Sequence, residues 1–121
     1  MGAQMILLEL PFPPSVNHYY RRWRGRTLIS REGRKFRARV VSILAARGLR
    51  RMDGPLTVEV DVYPPDHRRR DIDNVQKSLF DAIQHGGVYR DDSQIDDIHI
   101  RRRTTFPGGK VIVSINTIAN Q

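Results

Sequence analysis

Along the chain, apolar positions recur with two periods, and the switches between them outline the elements. Residues 5–10, MILLEL, form a short apolar run that PFPP stops, which is how a proline-ended strand reads. SVNHYYRRWRGRTLIS (15–30) has no apolar period of its own and reads as a loop or hairpin turning at Gly25. After Ser30 the period lengthens. Phe36, Val40, Ile43, Leu44 and roughly Arg47 fall three and four residues apart, so the spacing predicts a helix with one apolar face, ended by Gly48. PLTVEVDVYPP (55–65) alternates Leu56, Val58, Val60 and Val62 with Thr57, Glu59 and Asp61, the period of a half-buried strand closed by Pro64-Pro65. A second helix is expected from Asp71 or Asp73, since Ile72, Val75, Leu79, Ala82 and Ile83 make a stripe and Gly86-Gly87 stop it. Residues 95–118 then read as two strands joined as a hairpin at Pro107-Gly108-Gly109.

The expected order is β, hairpin, α, β, α, ββ. This is an α+β fold, with a small mixed or mainly antiparallel sheet and two main helices packed against it. A chain of 121 residues fits one domain over 1–121, so every functional group is expected to serve one site or one face.

Charge narrows the partner. Lysine and arginine number 21 against 13 acids, a net charge of +8 with an isoelectric point near 10.8, which points to a polyanion. Eighteen of the 21 bases are arginine, which forks onto phosphate oxygens and stacks on bases, so nucleic acid is preferred to an anionic membrane surface. The chain has no cysteine, hence neither disulfides nor a thiolate zinc site, and no apolar run approaches the ~18 residues of a membrane span. PGGK lacks the rest of a phosphate-binding P-loop, and no nucleotide cofactor is expected.

The acids are segregated: eight of the 13 fall between residues 66 and 97. Bare carboxylates repel a DNA backbone, so they assist binding only if a divalent cation reverses the local charge, and hard oxygen ligands suit Mg²⁺ or Mn²⁺. Such ions activate a water, stabilise charge at the attacked phosphorus and hold the leaving oxygen. Asp71 and Asp73 qualify at the start of the second helix. Asp73, Lys77 and Asp81 would share a ridge at i, i+4, i+8, aiming Lys77 at whatever Asp73 holds. For a third ligand YRDDSQID offers Asp91, Asp92, Asp96 and Asp97. Asp92 returns to the helix start if residues 87–92 run back extended along the helix, whereas Asp91 would alternate to the other side. The competing explanation is that Asp71 and Asp73 are an N-cap and a first-turn charge, and Arg68, Arg69 and Arg70 a solvated run.

Three blocks, PFPPSVNHYYR, RRRDIDNVQKSLFDAI and GGVYRDDSQI, in this order and at this spacing, resemble the RusA family of Holliday junction resolvases over nearly the whole chain. The resemblance implies a RusA-like, homodimeric, Mg²⁺-dependent endodeoxyribonuclease of bacteria and their phages or prophages that cuts four-way DNA junctions symmetrically in recombination and repair. It implies a cytoplasmic location, nucleoid-associated or phage-encoded. Residue by residue, the family's acidic triad falls on Asp71, Asp73 and Asp92, its catalytic lysine on Lys77 and its basic surface on Arg69 and Arg70. One D-x-D and one DD per chain make one site, whereas resolving a junction takes two matched cuts, which a two-fold dimer supplies.

An alternative is a protein that binds branched or single-stranded nucleic acid without cutting it. Aromatics interleaved with arginine in HYYRRWRGR (18–26) carry that reading: Arg21, Arg22 and Arg24 would meet phosphates while Tyr19, Tyr20 and Trp23 stack on exposed bases. A metal nuclease of other specificity, cutting flaps or single strands, is a second.

Overall fold

The computed structural model describes residues 3–118. The chain runs β1 (Met5–Pro11), a single helical turn α1 (Val16–Tyr19), β2 (Tyr20–Trp23), β3 (Arg26–Ile29), α2 (Arg31–Arg47), β4 (Leu56–Tyr63), a 3-10 turn (Ile72–Val75), α3 (Gln76–His85), β5 (Ile95–Arg102) and β6 (Lys110–Thr117). This is the expected α+β class. β2 and β3 form a sheet of their own, and the other four strands are ordered β1-β6-β4-β5.

The hairpin expected over residues 95–118 does not form. β5 and β6 lie on opposite sides of β4, the first parallel to it and the second antiparallel. The reason is the length of the link. Residues 103–109 can span more than 20 Å, and two interstrand spacings need only ~10 Å. The link passes over the end of β4, where the Arg103 N–H donates to the Val62 carbonyl at 2.7 Å and the Phe106 N–H to that of Pro64 at 2.9 Å. Gly108 and Gly109, at φ +80° and +72°, make the turn that the sequence advertises, but it delivers β6 to the far side of β4. β4, the strand with the cleanest alternation, thereby gains partners on both edges, and Val58 and Val60 are wholly buried.

In register, Leu8, Val113, Val60 and Ile100 form one row of the covered face. α2 presses Phe36, Val40 and Leu44 onto this side of the molecule and α3 adds Leu79, Ala82 and Ile83, all members of one core. The other face is polar: Arg101 pairs with Glu59 and Asp61, and Arg103 with Asp61 at 2.9 Å. Arg47, expected at the margin of the apolar stripe, is exposed and donates to the Leu7 carbonyl of β1 at 3.0 Å.

α2 starts where expected. The Ser30 hydroxyl oxygen accepts from the Gly33 N–H at 2.9 Å and Gly48 ends the helix at φ +59°. Gly33 is also a packing requirement. A Cβ there would overlap the Tyr19 carbonyl oxygen and come within 2.8 Å of Ile29 Cγ1. That carbonyl is already held by the Ser30 N–H and hydroxyl. Alanine raises intrinsic helix stability, by up to ~1 kcal/mol, but here overpacking of about 1–3 kcal/mol should dominate. Gly33→Ala is therefore expected to lower Tm by a few degrees in a thermal melt. A rise in Tm would mean that the 19–33 packing yields freely.

Candidate active site and nucleic-acid interface

The second helix begins later than its apolar stripe. Residues 72–75 wind as a 3-10 turn and the regular helix runs from Gln76. A 3-10 turn advances ~120° per residue against ~100° in an α-helix, so Asp73 is offset by up to about 60° from the position on the Lys77 and Asp81 ridge that a regular helix would give it. Asp71 occupies the N-cap position of the turn, yet its side chain makes no capping hydrogen bond. The capping explanation for this carboxylate fails on that observation. Among the described residues neither Asp71, Asp73 nor Asp92 belongs to an ion pair, while Glu9, Asp53, Glu59, Asp61, Asp66, Asp81 and Asp97 all do. Glu32, Asp91 and Asp96 are likewise without an ion pair, so it is their place at the start of α3 that sets Asp71 and Asp73 apart.

Lys77 is exposed and without a carboxylate partner among the described residues, its Nζ 5.9 Å from the centroid of the Tyr20 ring. Asp81 is not free to answer it. The Tyr19 hydroxyl donates to Asp81, as does Arg37 at 2.8 Å, which ties the β2–β3 root and α2 to α3. Burial, and then the adjoining Asp81, push the Tyr19 phenol well above the usual tyrosine range.

The Asp92 N–H donates to Gln84 Oε1 at 3.2 Å, in the last turn of α3. Burial first, then Asp81 and Asp92, raise the Tyr20 phenol, so the Asp92 carboxylate lies on the side where Lys77 meets that ring. Residues 87–92 do not run back extended, because Val88 and Tyr89 are buried, the Tyr89 hydroxyl donates to the Phe80 carbonyl at 2.8 Å, and Gln94 is clamped to the Met52 and Gly54 carbonyls. Among the described residues there is no group of three or more His, Cys, Asp or Glu that could hold a metal ion. The choice between neighbours is nonetheless informative. Asp91 accepts from the Ser93 hydroxyl at 2.8 Å, which holds its carboxyl below the usual range, and Gln94 accepts its N–H at 3.1 Å, so Asp91 belongs to the turn.

The basic residues also divide. Arg70 Nη1 donates to Asp66 Oδ1 at 2.8 Å and its guanidinium lies 5.6 Å from the Phe12 ring centroid, so this side chain, expected on phosphate, braces the 66–71 loop. That hydrogen bond holds the Asp66 carboxyl below its usual range. Arg68 and Arg69 remain exposed. With Asp71 they line a groove of about 890 Å³ whose opposite wall carries Lys35 and Arg39 of α2, and a smaller hollow, about 240 Å³, in which Arg102 and Arg103 take part. The loop is thus a ridge between two basic depressions, with Asp71 on both.

Of the aromatics expected to stack on bases, Tyr19 is fully buried, and Tyr20 is half-buried with its ring edge-on to Tyr19 at 4.8 Å. Trp23 alone of the three is exposed. Arg21, Arg22 and Arg24 are exposed on the same hairpin.

With the geometry described, similarity decides the family. The family model Endodeoxyribonuclease RusA matches residues 11–116. The chain belongs to the RusA family. It is 38% identical over 115 residues to the crossover junction endodeoxyribonuclease of Enterobacteria phage 82, and as similar to that of Shigella sonnei. It is 37% identical to that of Escherichia coli K12. Each alignment covers 94% of this chain and 96% of the relative. Within this RusA-family chain, Lys35 and Arg39 are the site residues that sequence reasoning passed over: they lie on the basic side of a helix recognised from its apolar side, and nothing local tells a groove-lining arginine from a solvated one. The Tyr19–Arg37–Asp81 knot joins residues 62 positions apart and left no signal at all. No helix among the described residues is long and apolar enough to cross a membrane.

Proposed function

We propose that the chain is a structure-specific endodeoxyribonuclease that resolves four-way DNA junctions by paired, symmetrical phosphodiester hydrolysis, acting as a Mg²⁺-dependent homodimer in recombination and repair. The relatives are named for crossover junctions. The observation that carries the reading is a pair of exposed carboxylates at the start of α3, Asp71 and Asp73, neither in an ion pair among the described residues, with Asp71 not used as a cap and lining a basic groove.

Two carboxylates suit one Mg²⁺, which is commonly held by one or two acids together with substrate phosphate oxygens and water; Mn²⁺ would serve similarly. When bound, the ion supplies Lewis acidity toward the phosphate. The chain's own residues do the rest. Arg68, Arg69, Lys35 and Arg39 draw the strand along the groove. Lys77, held against Tyr20, faces the charge that builds on the phosphoryl oxygens as water attacks, and the cut leaves a 5′-phosphate and a 3′-hydroxyl. Asp92 of the same chain, whose charge is felt at the Tyr20 ring that Lys77 rests over, completes the acidic set. A two-fold dimer holds a pair of such sites and makes two matched cuts.

The test is cleavage of a labelled synthetic four-way junction beside linear duplex and flap DNA, in Mg²⁺ and in EDTA. Symmetrical nicks confined to the junction and absent in EDTA are expected. Tight junction binding with no cut in Mg²⁺ or Mn²⁺ would instead make the chain a binding protein, and equal cutting of flaps would make it a nuclease of broader specificity.

A further inference from the structure

The β2–β3 hairpin stands apart from the rest of the fold. Among the described residues its strands pair only with each other; Tyr20 and Ile29 pack its root against the core, and everything from Arg21 to Thr27 is exposed. Four arginines and no acid occupy this segment. No arginine faces another across the strands, since Arg21 meets Leu28, Arg22 Thr27 and Arg26 Trp23, but none of the four has an ion-pair partner among the described residues, which leaves a concentrated positive charge at the tip.

The pairing register places Trp23 opposite Arg26 and Arg21 opposite Leu28. Side chains alternate along a strand, so Trp23 lies on the face opposite to Tyr20 and Ile29, away from the core. It is 49% exposed, unusual for a side chain that is highly buried on average. At the tip Arg24 adopts φ +49° and lays its guanidinium 4.6 Å from the indole centroid. One flat cation is thus already stacked on the ring, leaving an exposed aromatic surface that a second flat group can cover.

We propose that this hairpin reads the branch point. Trp23 stacks on a base whose own stacking is interrupted there, Arg24 backs the indole as a cation–π partner, and Arg21, Arg22 and Arg26 hold the flanking phosphates. Within a continuous duplex every base face is covered by its neighbours, so Trp23 finds a partner only where strands part; this converts a general basic surface into one selective for branched DNA. The proposal rests on the junction-cutting function and adds the element that recognises the junction. It also sets a distance. Tyr20 lies beside Lys77, and three residues of strand cover ~10 Å, or about three nucleotide steps at ~3.4 Å each, between the stacked base and the phosphate that Lys77 serves.

Trp23 is the chain's only tryptophan, so intrinsic fluorescence reports this residue alone. The full chain carrying Asp71→Asn, which keeps the DNA whole, is titrated in Mg²⁺ with a four-way junction and with a linear duplex of matched length. Strong quenching by the junction and little by the duplex is expected. In parallel, Trp23→Ala should weaken junction binding by about tenfold, the scale of one base–aromatic stack, with duplex binding nearly unchanged and Trp23→Phe retaining most of the affinity. A junction that binds without altering Trp23 emission, or an equal loss on both DNAs in Trp23→Ala, overturns the proposal. Scoring cleavage by the chain with Asp71 intact separates the two ideas: cutting with a silent Trp23 removes the hairpin's role and keeps the nuclease, whereas quenching without cutting keeps the hairpin and removes the nuclease.

Discussion

Mixing Asp71→Asn homodimers with Asp92→Asn homodimers is expected to leave junction cutting as low as in either alone. Each substitution removes a charged oxygen ligand and leaves the arginines in place. Each homodimer should lose more than about 100-fold in cleavage rate, since the loss of even an outer-shell metal partner typically costs 10- to 100-fold, while junction affinity stays the same or rises as repulsion between carboxylates and phosphate falls. In a mixed dimer the outcome depends on where Asp92 acts. If it serves its own chain, every site carries one defect and the mixture stays inactive. If it serves the partner's site, one site collects both defects and the other collects none, so half of the cutting capacity of each mixed dimer returns. The reach of its charge to Tyr20, the ring that Lys77 rests over, favours the first outcome. Nicking by the mixture after full subunit exchange would instead show that Asp92 completes the partner's site.

Lys77→Ala is expected to reduce the single-turnover cleavage rate by about 10²- to 10³-fold at saturating junction, the range seen when one preorganised charge donor to a transition state is removed. The lysine has no carboxylate partner among the described residues and rests over the Tyr20 ring, so its charge is not already neutralised within the protein. If it served only to bind DNA, higher protein concentration would recover the rate and the loss would appear in KM; a role at the reacting phosphate puts the loss in kcat. Lys77→Arg should recover part of the activity, because the charge returns with a different reach and shape. Tyr20 is then a positioning residue. Tyr20→Phe should preserve the rate and Tyr20→Ala lower it, with the same pattern in kcat rather than in KM.

Much of this molecule is legible in its sequence. Ser30 and Gly48 bracket α2, the Leu56-to-Val62 alternation marks β4, and the 72–83 stripe marks α3, because in each case a local period coincides with local end signals. Asp71 and Lys77 sit at the start of that helix as read. The unread parts are those in which distant residues decide. A Pro-Gly-Gly turn states that the chain reverses there but not which strand β6 then meets, and seven linking residues were enough for it to bypass β5. The 3-10 turn at Ile72 to Val75 follows from no single residue in it, yet it offsets Asp73 from the ridge that a regular helix would give it. HYYRRWRGR offers three aromatics with equal claims, and only the fold separates the buried Tyr19 and half-buried Tyr20 from the exposed Trp23. The RRR run likewise hid that Asp66, a few positions upstream, engages Arg70. Strand alternation alone separates Asp92 from Asp91 in the sequence; the fold commits Asp91 to the turn through Ser93 and Gln94, while the place of Asp92 depends on Tyr89 and Gln84, whose contacts are tertiary.

The placement of β6 also governs when the protein can exist. β1, residues 5–11, has its strand partner at residues 110–117, and that same strand lies between β1 and β4 in the sheet. Until residue 117 has left the ribosome, the first strand made has nothing to pair with, and its apolar side chains and free edge are exposed. Such pairing of distant segments gives a high contact order and slow, late folding. Fragments ending before residue 110 should therefore be collapsed, protease-sensitive and catalytically silent, so a DNA-cutting chain would acquire its activity only when its synthesis has passed that point.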